Sequence, residues 1–218
     1  MKLHIGCGQT LINGFVNIDN SPSVLLGRLP LLVLKGLQKM SVLNKDQLGF
    51  ISKLKQGNCE FRYANCLSLP YKENTAEVCY SSHMIGWCLS RGQLNVFLTE
   101  LKRVLKPGGA LRLSFFDFNE CVNEYLQHKN TITLSQNMPL GSNEFYFREK
   151  LKFLLSPNLH GGLVLNRETI LLLLELNGFN NIRLLKAGET TMNTGQVGEI
   201  DLFQRSENSV YVECCKPG

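Results

Sequence analysis

Gly6, Gly8 and Asp19 are the residues whose types and spacing most directly suggest chemistry. Glycines on either side of Cys7 let the backbone turn sharply and come close to a ligand, where a side chain would intrude. Asp19 closes the next apolar run, Phe15–Asp19, and a carboxylate there can accept both hydroxyls of a ribose. The set describes a site for an adenosine-containing ligand at the carboxyl ends of two neighbouring strands, where open α/β sheets bind ligands.

Two ligand classes compete for such a site. A dinucleotide needs a third glycine and a helix N-terminus under its pyrophosphate. Here the third-glycine position is Leu11, and the span from Gly8 to Phe15 is too short for a helix and its turns. S-adenosylmethionine has no phosphate and needs neither. The spacing therefore favours it over NAD and leaves a Rossmann oxidoreductase the weaker candidate.

The elements that must position these residues alternate between strand-like and helical patterns, the mark of an α/β fold. Strands are expected at Lys2–Ile5, Phe15–Asp19, Glu60–Tyr63, Glu77–Ser81, Ala110–Phe116, Asn181–Lys186 and Ser209–Cys214. The turn Pro107-Gly108-Gly109 should introduce the fifth. Over Gly92–Lys106 the residues Leu94, Phe97, Leu98, Leu101, Val104 and Leu105 recur at helical spacing, which predicts one face packed on the sheet. Asn166 should cap a second helix that ends at Gly178 and packs deeply. Residues 24–56 read as an insertion of two helices, one starting near Pro30 and one capped by Asn44 with Gln47. A cap over the site is the leading expectation for it. A weak membrane-surface contact through the basic stripe Arg28, Lys35 and Lys39 is the other.

The ordered motifs resemble a group of bacterial class I S-adenosylmethionine-dependent methyltransferases, of the methyltransferase type 11 kind, that lack the first crossover helix. The resemblance rests on Leu3-His4-Ile5-Gly6-Cys7-Gly8 and Gly14-Phe15-Val16-Asn17-Ile18-Asp19. It continues through Tyr63–Tyr71, Glu77–His83 and Glu100–Gly109. It implies a Rossmann-like sandwich over residues 1–218, with a mostly parallel seven-stranded sheet and an antiparallel strand near the C-terminus. It also implies S-adenosyl-L-methionine held by Gly6, Cys7, Gly8, Asp19, Asn65, Cys66, Leu67 and Ser82. Asn65 stands where such proteins usually have an aspartate facing the adenine amino group, and its side-chain oxygen can still accept that bond. Two departures bear on catalysis. A Glu-His pair common after the His83 position is here Gly86 and Trp87, and Glu77 replaces an aspartate.

Methyl transfer from a sulfonium is an in-line displacement that needs alignment and a dry site. An oxygen or nitrogen acceptor also needs a base within reach. His83, just beyond the fourth strand, is the first candidate, with a capping or core role as its alternative. Asp117, after the fifth strand, either orients an acceptor or caps the helix through Glu120–Gln127. His160, in Asn158-Leu159-His160-Gly161-Gly162, resembles a loop histidine that closes over the acceptor in the group.

Composition sets the remaining bounds. A chain of 218 residues suits one domain with a sizeable core. The net charge of +5 is scattered, so no nucleic-acid surface is expected. Eight cysteines without Cys-x-x-Cys spacing or a secretory signal point to reduced thiols, no metal and a cytoplasmic location. The expected activity is methyl transfer to an oxygen or nitrogen of a small-molecule or glycan-type acceptor. A catalytically degenerate S-adenosylmethionine-binding module is the alternative, favoured by Asn65, Gly86 and Trp87.

Overall fold

The structure, a computed structural model, describes residues 1–40, 43, 45–129, 163–191, 201 and 208–218. In chain order the elements are β1 (Lys2–Ile5), β2 (Val16–Asp19), α1 (Pro22–Leu26), α2 (Leu31–Lys39), α3 (Lys45–Gln56), β3 (Phe61–Tyr63), β4 (Ala76–Ser82), α4 (Ile85–Cys88) and α5 (Arg91–Val104). They continue with β5 (Leu105–Phe116), α6 (Phe118–His128), α7 (Arg167–Leu176), β6 (Asn180–Leu185) and β7 (Ser209–Cys215). The strands form one seven-stranded sheet in the order β3-β2-β1-β4-β5-β7-β6. Neighbours from β3 to β5 run parallel, and β7 lies antiparallel between β5 and β6. The order reverses between β1 and β4, which puts the ligand crevice beyond their carboxyl ends.

The two faces of the sheet differ in chemistry because side chains alternate along each strand. Leu3, Ile5, Cys79, Leu111, Leu113, Val210 and Val212 point to the face covered by α5 and α7, and share a core with Leu94, Phe97, Leu98, Leu101, Ile170 and Leu174. On the opposite face a polar row crosses the sheet, because register pairs Asn17 with His4, His4 with Tyr80, Tyr80 with Arg112, and Arg112 with Glu213. The guanidinium of Arg112 is fully buried and ion-paired to Asp201 and Glu213. Burial alone would lower its affinity for the proton, but the two carboxylates outweigh that and raise it. A buried cation with two such partners is tolerated where an unpaired one would be strongly destabilising.

Asn17 explains how β1 joins parallel β2 without a crossover helix. Its Oδ1 accepts the Ile12 N–H at 2.8 Å, and its Nδ2 donates to the carbonyls of Ile12, Phe15 and Glu60. One buried amide thus satisfies backbone groups of the loop that a helix would otherwise have paired internally. Because Oδ1 is an acceptor, the 3.1 Å contact from His4 Nδ1 requires the proton on that nitrogen.

Three expectations change. The turn Pro107-Gly108-Gly109 does not precede β5 but lies inside it, with Gly108 at φ +72°. The register shifts between Ala76 and Val78 opposite, and Lys216 exchanges backbone bonds with Gly108 and Gly109, so the turn is absorbed as a bulge. Next, α7 buries Ile170 and Leu174 but exposes Leu172 and Leu176, so only one stripe of this apolar helix is packed. Asn166 does cap it, accepting the Thr169 N–H at 3.0 Å, and Gly178 follows in the left-handed region. In residues 24–56 the two expected helices are present as α2 and α3, preceded by the short α1. Leu34, Leu43 and Ile51 form a small core with Leu26, Leu29, Leu37 and Leu48, while Leu31 is exposed. Asn44 lies outside the described residues.

Candidate active site

The glycine loop and Asp19 form one hydrogen-bonded unit. Asp19 Oδ2 accepts the Gly8 N–H at 2.8 Å and Oδ1 accepts the Ser21 N–H at 2.7 Å. The carboxylate is thereby fixed in rotation, with a lone pair on each oxygen left for a second donor. Gly6 and Gly8 both adopt positive φ, +66° and +51°. Their surroundings differ: a Cβ on Gly6 would meet Met84 Cγ at 2.3 Å, whereas one on Gly8 meets nothing within 4 Å. Gly6 therefore lets β4's exit pack on the loop, whereas Gly8 has open space beside it. Cys7 between them is buried, and burial, reinforced by the Asp19 charge, pushes its thiol far above the usual range. It is a packing group and not a nucleophile.

Beyond β3 the chain makes a tight loop. Asn65 Oδ1 accepts the Leu67 N–H at 3.0 Å, and the Asn65 carbonyl accepts the Ser68 N–H. Cys66 and Leu67 are half-buried at the margin of the main core. The loop is held from outside by α5: Glu100 accepts the Leu69 N–H, and Arg103, paired to Glu100, donates to the carbonyls of Leu69 and Tyr71. The Arg103 hydrogen bond, foremost, holds the Glu100 carboxyl below its ordinary range against the opposing effect of burial. This gives the Glu100–Gly109 motif a physical role, which its sequence signalled only as an opposite-charge pair at i, i+3.

His83 sits at the tip of β4 in the left-handed region, φ +54°, and is 6% exposed. Its Nδ1 lies 2.9 Å from Ser82 Oγ, and Ser114 donates to Ser82 at 2.9 Å. Its Nε2 lies 2.8 Å from Ser209 Oγ on β7, and the ring meets Phe116 edge-on. With Ser114 donating to Ser82, either tautomer of His83 satisfies these contacts: Ser82 donates to Nδ1 and Nε2–H to Ser209, or Nδ1–H donates to Ser82 and Ser209 to Nε2. Ser114 and Ser209 carry no motif and come together with His83 only through sheet register. Ser82 belongs to this chain of hydroxyls.

Asp117 is almost fully buried. One oxygen caps α6 by accepting the Asn119 N–H at 3.1 Å, and the other pairs with Arg167 at 2.7 Å. Both oxygens thus serve the junction of α6 and α7. Gly86 and Trp87 fall within the one-turn α4. His160 lies outside the described residues. Among the described residues no cluster of His, Cys, Asp or Glu could hold a metal, and Cys7, Cys59, Cys66, Cys79, Cys121, Cys214 and Cys215 are free thiols.

The α/β sheet in this strand order, with the Asp19 carboxylate at the tip of β2, is a Rossmann-like fold. Comparison with known proteins agrees. Residues 42–113 match the family described as a methyltransferase domain. The fold is similar to a Methanosarcina mazei S-adenosylmethionine-dependent methyltransferase, at TM-score 0.55 and 15% identity, covering 99% of this chain and 91% of that one. It is similar to a Thermotoga maritima S-adenosylmethionine-dependent methyltransferase described as a possible histamine N-methyltransferase, at TM-score 0.53 and 14% identity, covering 99% and 81%. A possible exported protein of Bordetella parapertussis matches at TM-score 0.53 and 14% identity; the whole chain is covered but spans 61% of that protein's length. No protein of curated function matches in sequence. Together these likenesses show a Rossmann-like fold of the kind found in S-adenosylmethionine-dependent methyltransferases, and the family match covers residues 42–113 alone.

Proposed function

We propose that this protein transfers a methyl group to an oxygen or nitrogen of a small-molecule or glycan-type acceptor, with His83 as the base. The observation that carries the cofactor half is Asp19, braced by the N–H groups of Gly8 and Ser21 beside an open Gly8. S-adenosylmethionine supplies an electrophilic methyl when bound. Gly6, Cys7, Gly8 and Asp19 would hold its methionine and ribose ends, and Asn65, Cys66 and Leu67 its adenine.

The acceptor half rests on His83. A non-glycine residue in the left-handed region at the end of a strand is costly and is characteristic of functional sites. The hydrogen-bond chain supports a proton path. Ser82 Oγ takes the acceptor's proton while its own passes to His83 Nδ1, and Ser209 holds the Nε2–H of the resulting imidazolium. Such a base contributes about 100- to 10,000-fold in rate. Residues 24–56 are part of the proposal as a helical cap, supported by the chain entering it from Ser21, whose N–H is held by Asp19. A cytoplasmic location belongs to it too, supported by the free thiols. No helix among the described residues is long and apolar enough to cross a membrane.

The test is release of S-adenosylhomocysteine against a panel of hydroxyl and amine acceptors, with parent and His83→Ala side by side. His83→Ala should keep the melting shift with S-adenosylhomocysteine and lose turnover, together with the rise of rate with pH expected of the parent. Full activity of the variant would overturn the base assignment. Binding without turnover on any acceptor would favour the binding-only alternative, for which the engagement of both ring nitrogens of His83 speaks.

A further inference from the structure

The outward face of α2 has a composition that neither the cofactor site nor the core uses. Leu34 and Leu37 turn inward to the small core with Leu43 and Ile51. Opposite them, Leu32 is 83% and Met40 75% exposed, flanked by exposed Leu31, Val33 and, from α1, Leu25. Leu32, Gly36 and Met40 recur at i, i+4 and i+8 and so form one row along the outer surface. Lys35 and Lys39 form a second row beside it at i, i+4, and Arg28 is exposed just before the helix. Two like charges at that spacing repel in water, and neither lysine nor Arg28 has an ion-pair partner among the described residues. Between Asp19 and Asp46 the sequence holds Arg28, Lys35, Lys39 and Lys45 and no acidic residue.

We propose that α1 and α2 dock on an anionic phospholipid surface, with the Leu32–Met40 row entering the acyl boundary and Arg28, Lys35 and Lys39 at the headgroups. An apolar row beside a cationic one is the pattern of helices that lie in the interface plane. The charge complement selects the occupant: the patch carries positive charge only, so it meets a negative surface. A nucleic-acid surface would want aromatic side chains between the cations, and residues 20–45 contain no aromatic residue. The lack of aromatic side chains also weighs against a protein partner, since of the usual aromatic and arginine anchors the patch has only Arg28. The helix lies on the membrane and does not span it.

Flotation of the whole protein tests this. With phosphatidylcholine vesicles containing phosphatidylglycerol the protein should rise with the vesicles; with pure phosphatidylcholine it should stay below. High salt should reduce anionic binding roughly tenfold or more, since the attraction is between surface charges. K35E/K39E should abolish flotation, and so should L32S/M40S, which removes the apolar row without altering charge. All four side chains are exposed, so both variants should melt with the parent; the salt titration of the parent needs no variant at all. Absence of flotation, equal flotation on neutral vesicles, or insensitivity to salt would overturn the proposal. Concentration-dependent self-association that L32S/M40S removes, with no vesicle binding, would assign the face to a second copy of the chain instead.

Discussion

Gly8 donates its backbone N–H to Asp19 Oδ2 at 2.8 Å, so the loop after β1 and the carboxylate at the tip of β2 move as one body. The Ser21 N–H holds the other carboxylate oxygen, so both oxygens of Asp19 are tied to backbone.

Asp19→Ala should weaken S-adenosylhomocysteine binding by about 2–4 kcal/mol, from the lost charge-assisted contacts. It should also lower the melting temperature without ligand, because the N–H groups of Gly8 and Ser21 lose their acceptor. Calorimetry and a melting curve read the two effects separately. Parent-like affinity in the variant would remove Asp19 from the site.

The two glycines should separate in the same experiments. Gly6→Ala places a methyl at 2.3 Å from Met84 Cγ in a backbone at φ +66°, so the fold itself should lose about 2–4 kcal/mol. Gly8→Ala meets no neighbour and should cost only about 1–2 kcal/mol of stability from its φ of +51°. Its main effect should be on ligand affinity. Equal denaturant midpoints for the two variants would contradict this division.

Asn65→Asp should leave affinity unchanged or improve it. The acceptor oxygen that takes the Leu67 N–H is present in both residues, so the loop keeps its turn. A tenfold loss on calorimetry would mean that the neutral amide, and not only its oxygen, is required.

Burial lowers the His4 pKa from 6.5 to about 4, against smaller opposing effects of the Asn17 hydrogen bond and the Asp19 charge. Below pH 6.5 the unfolded chain binds a proton that the folded one does not, so stability falls as pH drops from 6.5 towards 4. At about 1.4 kcal/mol per unit the loss approaches ~3 kcal/mol. His4→Gln removes the titration, and its denaturant midpoint should change less over that range than the parent's. Parallel curves would mean His4 is not the group responsible.

Asp117→Ala should cost about 1–3 kcal/mol, from the α6 cap and the half-exposed Arg167 pair, with the melting shift from S-adenosylhomocysteine unchanged. Asp117→Asn retains a capping oxygen and should fall between. A turnover defect in Asp117→Asn at parental stability would return the residue to the acceptor site.

What the amino-acid sequence determined by itself is local. Short strand-like runs and helical hydrophobic spacing placed the helices α5 and α7 and all the strands but β5 to within two residues at each end, because these patterns are set at short range. Gly6, Gly8 and Asp19 were legible for the same reason: a glycine turn after one strand and a carboxylate after the next form a site within a short stretch of chain. The tertiary structure decided what depends on residues distant in sequence. Ser82, Ser114 and Ser209 surround His83 because β4, β5 and β7 lie side by side in one register, which no spacing along the chain reveals. Asp117 meets Arg167 across 50 residues, and Arg112 finds Glu213 and Asp201 only when β7 inserts antiparallel beside β5. The loop of Asn17 shows both kinds of determination. Its shortness excluded a crossover helix from the sequence alone, but that one buried amide would satisfy the loop's backbone depended on β2 pairing with β1 and Glu60 closing from the other side.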